Sequence, residues 1–132
     1  MYERNTTGVK KQILIVDDSE DMRDLLAQIL EEEENYTLFF AENGLQALTE
    51  ATRIQPDLIL LDMSLPGMSG WEVAPQLRRL PALARTPIIA VTAHVSQQDQ
   101  DRALELGCTT HLGKPFDVAN VLDTIARLLE SA

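Results

Sequence analysis

Short apolar runs alternate with amphipathic stretches five times along the chain. We interpret the apolar runs as strands, at residues 12–16, 36–40, 57–61, 87–92 and 110–113. Three of them, the first, third and fourth, are almost entirely aliphatic, which is typical of parallel strands covered on both faces. The repeat predicts an α/β fold, a doubly wound five-stranded parallel sheet with helices on both faces and the flavodoxin-like strand order 2-1-3-4-5.

The stretches between the strands carry apolar residues at helical spacing, and each follows a residue that commonly caps a helix. The candidate caps, in chain order, are Ser19 or Asp18, Asn43, Ser69, Ser96 and Asp117. Five helices are therefore predicted to alternate with the five strands.

Length and composition restrict the class of protein. The chain of 132 residues is long enough for one domain, and we expect a flexible segment over residues 1–10 and a folded domain over 11–132. No apolar run approaches the roughly 20 residues of a membrane-spanning helix, and the first residues resemble neither a signal nor a transit peptide. One cysteine, Cys108, agrees with a reducing compartment. We therefore expect a cytoplasmic protein.

The balance of charge restricts the partners. The formal net charge is -10, whereas binding to nucleic acid or to an anionic membrane surface requires a positive footprint. We therefore expect no direct contact with either, and a monomer or weak dimer in solution.

Polar residues follow four of the five predicted strands. Asp17 and Asp18 follow the first strand, Asp62 the third, Thr92 ends the fourth and Lys114 follows the fifth. Because the carboxyl ends of parallel strands meet at one edge of the sheet, where ligands bind in such folds, these side chains are expected to lie close together.

The mutual repulsion of three clustered carboxylates must be offset by protons or by positive charge. Two like charges roughly 4 Å apart repel by about 4 kcal/mol at an effective dielectric constant near 20, so the cluster is expected to take up protons or bind a cation. Oxygen ligands favour Mg²⁺, and the two histidines and one cysteine do not have the spacing of a zinc site. For Asp17 and Asp18 alone, helix capping explains the residues equally well.

A metal site beside a carboxylate, a hydroxyl and an ammonium group is suited to phosphoryl transfer. The sequence contains neither form of glycine-rich phosphate loop. A bound nucleotide is therefore not expected.

Four segments, "ILIVDDSEDMR", "PDLILLDMSLPGMSGWE", "TPIIAVTAH" and "GCTTHLGKPF", in this order and spacing, resemble the receiver domain of two-component response regulators. The similarity runs from about Lys11 to the last helix and is to the stand-alone, single-domain receivers of the chemotaxis-regulator kind. It implies a phosphorylation-dependent switch that accepts a phosphoryl group from a phosphohistidine of a sensor kinase or phosphotransfer protein. Such a switch is not an enzyme beyond its self-catalysed phosphoryl transfer and autodephosphorylation.

The resemblance also implies roles for individual residues. Asp62 would be the phosphoacceptor. Asp18 would bind Mg²⁺ directly together with Asp62, Asp17 would bind it through water, and Ser64 through its backbone carbonyl. Lys114 would pair with Asp62 or with its phosphoryl group, and the Lys114–Pro115 bond would be cis.

Signalling would depend on two further residues. The Thr92 hydroxyl would turn onto the phosphoryl group, and His111 would change rotamer, which would shift the face formed by the fourth helix, fifth strand and fifth helix toward a separate partner. Ser64 and His94 would tune the lifetime of the phosphoryl group. His111 stands where Tyr or Phe is usual in the family, so the bias of the switch is in question.

Three alternatives belong to other classes. A phosphatase of the haloacid dehalogenase type carries its nucleophile in an Asp-x-Asp motif after the first strand, whereas here the candidate follows the third strand and position 64 is Ser. A receiver-like binding module would not be phosphorylated. A flavodoxin-like flavin carrier would be coloured when purified.

Overall fold

The computed structural model describes residues 10–33, 35–93 and 96–130. Five parallel strands form one sheet over these residues, in the order β2-β1-β3-β4-β5. The strands are β1 (Lys11–Val16), β2 (Tyr36–Ala41), β3 (Leu58–Asp62), β4 (Ile88–Thr92) and β5 (Thr110–Gly113). The helices are α1 (Glu20–Glu31), α2 (Gly44–Ile54), α3 (Gly70–Arg79), α4 (Gln97–Glu105) and α5 (Val118–Glu130), with a short 3-10 turn at Pro81–Leu83. The predicted fold class and strand order are confirmed.

The candidate phosphoacceptor, Asp62, is part of the central strand β3. All five residues of this strand are buried. Asp62, which the sequence places just after the strand, is its last residue and pairs with Val91 of β4. The Met63 amide then donates to the Val91 carbonyl at 3.0 Å. Ladder pairing therefore holds the backbone on both sides of Asp62.

The sheet separates two apolar layers. Ile13, Ile15 and Leu60 pack with residues of α1 and α5 on one face, and Leu14 and Leu61 pack with residues of α2, α3 and α4 on the other. Each fully buried Leu or Ile side chain contributes about 1.5–3 kcal/mol relative to exposure. These layers make the central strands a rigid support for the residues at their carboxyl ends.

The helix caps are formed by residues other than the three aspartates at the carboxyl edge of the sheet. The Ser19 hydroxyl accepts a hydrogen bond from the Met22 amide at 3.2 Å and caps α1, so Asp18 does not act as the cap. Asn43, Ser96 and Asp117 likewise accept from the first turns of α2, α4 and α5, whereas Ser69 precedes α3 without a side-chain hydrogen bond.

A partly buried arginine, Arg78 in the last turn of α3, links the turn that precedes β4 to the turn that precedes β5. The Arg78 guanidinium donates to the carbonyl oxygens of Leu83 at 2.7 Å, Thr86 at 2.6 Å and Gly107 at 2.6 Å. Burial lowers the pKa of this guanidinium from its ordinary value. Arg78 therefore supplies donors to partly buried carbonyls of both turns.

No helix in the described part of the chain combines the length and apolar character needed to cross a membrane. Most of the predicted flexible segment at residues 1–10, and His94, lie outside the described residues.

Candidate phosphoacceptor site

Three carboxylates meet at the carboxyl edge of the sheet, as predicted. One carboxylate oxygen from each of Asp17, Asp18 and Asp62 lies within 4.8 Å of the others. Asp17 follows β1 and Asp62 ends β3, and both are buried, whereas Asp18 is exposed. Solvent therefore reaches the cluster at Asp18, whereas Asp17 and Asp62 are covered by the protein.

Asp17 is held by contacts on all of its polar groups. Its amide donates to the Ala41 carbonyl at 3.1 Å, and its Oδ1 accepts from the Ser19 amide at 2.9 Å. Its Oδ2 lies 3.6 Å from Lys114 Nζ, and its backbone carbonyl accepts from Arg23 Nη1 at 2.8 Å. The carboxylate of Asp17 consequently has a defined orientation.

Asp62 is 3% exposed and lies among groups of both charges. Its Oδ1 accepts a hydrogen bond from the Ser64 amide at 2.9 Å, and its Oδ2 lies 3.9 Å from Lys114 Nζ. Burial raises the pKa of the Asp62 carboxyl, and the charges of Asp17 and Asp18 add to the rise, whereas the Ser64 hydrogen bond and Lys114 oppose it. Ionisation of Asp62 therefore costs more in the folded protein than in the unfolded chain, and a further positive charge at the site would reduce that cost.

Lys114 follows β5 and reaches both buried carboxylates. It is slightly nearer to Asp17 than to Asp62, and its amide donates to the Thr92 carbonyl at 2.9 Å. The Lys114–Pro115 peptide bond is cis, as expected from the sequence. One ammonium group offsets only part of the charge of three carboxylates, so the remaining charge suits a divalent cation.

The two predicted switch residues, Thr92 and His111, lie on neighbouring strands in different surroundings. Thr92 ends β4 at the same edge and is buried. His111 is partly buried on β5 and lines a cavity of about 230 Å³ with Leu104 and Thr110, next to α4. His111 therefore borders α4, whereas Thr92 lies at the edge of the sheet that carries the carboxylates.

Gly70 was not identified from the sequence, yet it allows α3 to begin against the acceptor strand. A Cβ atom at this position would lie 2.6 Å from the Asp62 carbonyl oxygen and 2.6 Å from Met63 Cα. The only sequence signal was a glycine at a predicted helix start. This close approach places the first turn of α3 directly on the backbone of Asp62.

Arg23 is the second residue that sequence reasoning missed. It lies in α1 and its guanidinium holds the Asp17 carbonyl. Its signal in the sequence is weak, since it is simply a basic residue among the acidic residues of the first helix. Arg23 thus brings a cationic side chain, in addition to Lys114, to this edge of the sheet.

Residues 13–126 match the family described as response regulator receiver domain. Sporulation initiation phosphotransferase F of Bacillus subtilis is 39% identical over 121 residues, which span 92% of this chain and 95% of that protein. The polar-differentiation response regulator DivK of Brucella anthropi is 37% identical over 122 residues, which span 92% and 98% of the two chains.

A similar solved structure is the receiver domain of a sensor histidine kinase from Pseudomonas aeruginosa, with a magnesium ion coordinated in its active-site cleft. It has a TM-score of 0.84 and 30% sequence identity, and the match covers 92% of this chain and 99% of that one. The aspartate triad described above is typical of the Mg²⁺ site of such domains. The chain therefore belongs to the family of response regulator receiver domains.

Proposed function

We propose that Asp62 accepts a phosphoryl group from a phosphohistidine and that Asp17, Asp18, Ser64, Thr92 and Lys114 assist the transfer. The observation that carries this proposal is the position of Asp62, a buried carboxylate at the end of the central strand with two further carboxylates within 4.8 Å. Family membership implies a histidine kinase or a phosphotransferase as the partner. The protein is a signalling protein rather than a conventional enzyme.

In the transfer, a carboxylate oxygen of Asp62 attacks the phosphorus. The P–N bond to the donor imidazole breaks, its electron pair returns to the ring nitrogen, and an acyl phosphate forms on Asp62. The Ser64 amide, which donates to Oδ1 at 2.9 Å, orients the carboxylate. A held nucleophile lowers the entropic barrier to the attack.

The donor set fits Mg²⁺. Carboxylate oxygens are the hard ligands this ion prefers, and the three negative charges are only partly offset by Lys114. We assign Asp18, Asp62 and the Ser64 backbone carbonyl as direct ligands, and Asp17 as a ligand through water. When bound, Mg²⁺ neutralises charge between the carboxylates and the incoming phosphoryl group.

Lys114 and Thr92 are proposed to stabilise the negative charge of the phosphoryl group on Asp62. The Lys114 ammonium, already 3.9 Å from Asp62 Oδ2, is placed to pair with a phosphoryl oxygen. Thr92 ends the adjacent strand at the same edge, and its hydroxyl is a suitable donor to another of these oxygens. Ser64 and His94, two residues beyond Asp62 and Thr92, are proposed to tune the lifetime of the acyl phosphate.

Output is proposed to pass through α4, β5 and α5 to a separate protein. The amide of Lys114 is bonded to the Thr92 carbonyl at 2.9 Å, so movement at Thr92 is transmitted to the end of β5. His111 lies on the same strand and borders the cavity next to α4. A two-state shift of this face, biased by phosphorylation, would change the surface offered to the partner.

The test is incubation with acetyl phosphate and Mg²⁺ followed by intact-mass measurement. The wild type is expected to gain one phosphoryl group, and Asp62→Asn is expected to gain none. The same reaction in excess EDTA should leave the wild type unmodified. No adduct on the wild type, or an equal adduct on Asp62→Asn, would overturn the proposal. Turnover of a phosphomonoester would instead favour a phosphatase.

A further inference from the structure

Arg23 reaches from α1 back to the loop that carries two of the three carboxylates. Its Nη1 donates to the Asp17 backbone carbonyl at 2.8 Å. Side chains on a helix point toward its N-terminus, and Arg23 lies near the start of α1, so the guanidinium can extend over the first turn. This contact fixes the turn between β1 and α1 from the helix side.

The bonded carbonyl belongs to the peptide plane that joins Asp17 to Asp18. Because a peptide is planar, holding the Asp17 oxygen also holds the Asp18 nitrogen. Asp18 is exposed, and within residues 10–33, 35–93 and 96–130 its carboxylate has no hydrogen bond or ion pair. The direction of the Asp18 carboxylate therefore depends on the backbone that Arg23 restrains.

Arg23 has two opposed effects on a cation at this site. Its positive charge repels a divalent ion, and this effect alone makes binding weaker than it would be without the arginine. Its hydrogen bond orients a ligand-bearing peptide, and loss of such supporting contacts typically lowers metal affinity by about 10–100-fold. Repulsion from a partly solvated guanidinium is screened by water and salt, so the orienting effect is the larger.

We propose that Arg23 is a positioning residue for the Mg²⁺ site and acts through the Asp17–Asp18 peptide. The inference rests on the proposed function, since it takes Asp18 as a direct ligand. It concerns a residue that contacts neither the metal nor the phosphoryl group. Its consequence is a Mg²⁺ affinity that depends on a guanidinium outside the ligand set.

The sign of the change in affinity tests this role. Mg²⁺ dissociation constants are measured by titration calorimetry on wild type, Arg23→Gln and Arg79→Gln, the last being an exposed arginine at the far end of α3 that matches the change in net charge. Arg23→Gln is expected to bind Mg²⁺ about tenfold more weakly, and Arg79→Gln as the wild type does. Equal or tighter binding by Arg23→Gln overturns the proposal.

Dependence of phosphorylation on Mg²⁺ separates positioning from a direct role. The rate of Arg23→Gln with acetyl phosphate is expected to be low at limiting Mg²⁺ and to recover the wild-type value at saturating Mg²⁺. A defect that persists at saturation contradicts the assignment. If Arg23→Gln does not fold, Arg23→Met replaces it, since it keeps a long unbranched side chain but has neither the charge nor a hydrogen-bond donor. Weaker Mg²⁺ binding then supports the proposal, and unchanged binding overturns it.

The two proposals fail in different ways. A wild type that binds no Mg²⁺, or an Asp62→Asn variant that still gains a phosphoryl group, contradicts the proposed function. A wild type that behaves as expected beside an Arg23→Gln variant with undiminished affinity contradicts only the role of Arg23.

Discussion

Gly70 begins α3 so close to Asp62 that no side chain fits between them, since a Cβ atom would lie 2.6 Å from the Asp62 carbonyl oxygen. Elsewhere in a helix, replacing glycine with alanine is favourable by roughly 0.5–1 kcal/mol. Here the added methyl group must displace either the helix start or the acceptor strand.

We predict that Gly70→Ala destabilises the protein by about 1–3 kcal/mol and slows phosphorylation of Asp62. Gly67→Ala is the control, because nothing lies within 4 Å of its added Cβ and its expected penalty comes only from a φ of 72°. Urea denaturation gives the stabilities, and intact mass gives the phosphorylation rates. A more stable Gly70→Ala would show that helix propensity dominates and that the close approach is unimportant.

Asp62→Asn is predicted to stabilise the metal-free protein near neutral pH. The folded state raises the pKa of Asp62, so it holds the proton more tightly than the unfolded chain does. The stability contributed by the neutral carboxyl is fully present below the unfolded pKa and is lost as pH rises through the folded value. The advantage of Asp62→Asn should therefore shrink toward about pH 4, near the ordinary pKa of aspartate.

Denaturation of both proteins across this pH range, without Mg²⁺, measures the difference. Added Mg²⁺ should stabilise the wild type more than Asp62→Asn, because only the wild type has all three carboxylates. A wild type that is the more stable protein at neutral pH without metal would contradict the electrostatic account of the site.

Cys108 is predicted to be inert in the folded protein. Burial raises the pKa of its thiol from 9.0 to about 11, and the thiolate is the reactive form. Alkylation by iodoacetamide should be slow in buffer and fast in denaturant. Since the unfolded thiol ionises first, stability should fall as pH rises from about 9 to about 11, less so in Cys108→Ala. Equal alkylation rates in the two solvents would refute the burial of this thiol.

Arg78→Met is predicted to lower the free energy of unfolding by about 3 kcal/mol, because the partly buried carbonyls of Leu83, Thr86 and Gly107 lose the hydrogen bonds that Arg78 donates. The neighbouring Arg79 is exposed, so Arg79→Met should change stability by no more than about 0.5 kcal/mol. Chemical denaturation compares the pair. Similar losses in both variants would mean that the Arg78 hydrogen bonds contribute little.

Much of the site followed from local patterns in the sequence. Aliphatic runs predict the strands, and because parallel strands share one carboxyl edge, the sequence predicts that Asp17, Asp62, Thr92 and Lys114 lie together. The end of β3 was misjudged by one residue, since a charged residue such as Asp62 is not expected inside a buried strand.

The contributions of Arg23 and Gly70 could not be predicted in this way. Arg23 contacts a residue six positions earlier, across a turn whose path no periodicity describes. Gly70 is required by a close approach between two backbones that are brought together only by the packing of α3 on β3. Distances likewise depend on packing, which is why Lys114 lies nearer to Asp17 than to the expected partner, Asp62.

The central claim, that Asp62 is the residue that carries the phosphoryl group, is tested most directly by locating that group. Borohydride reduces an aspartyl phosphate to homoserine, which leaves a stable mark for peptide sequencing by mass spectrometry. After phosphorylation in Mg²⁺ and reduction, the account predicts homoserine at position 62 and intact aspartate at positions 17 and 18. Homoserine at position 17 or 18, or no mark in a protein that gained a phosphoryl group, would contradict it.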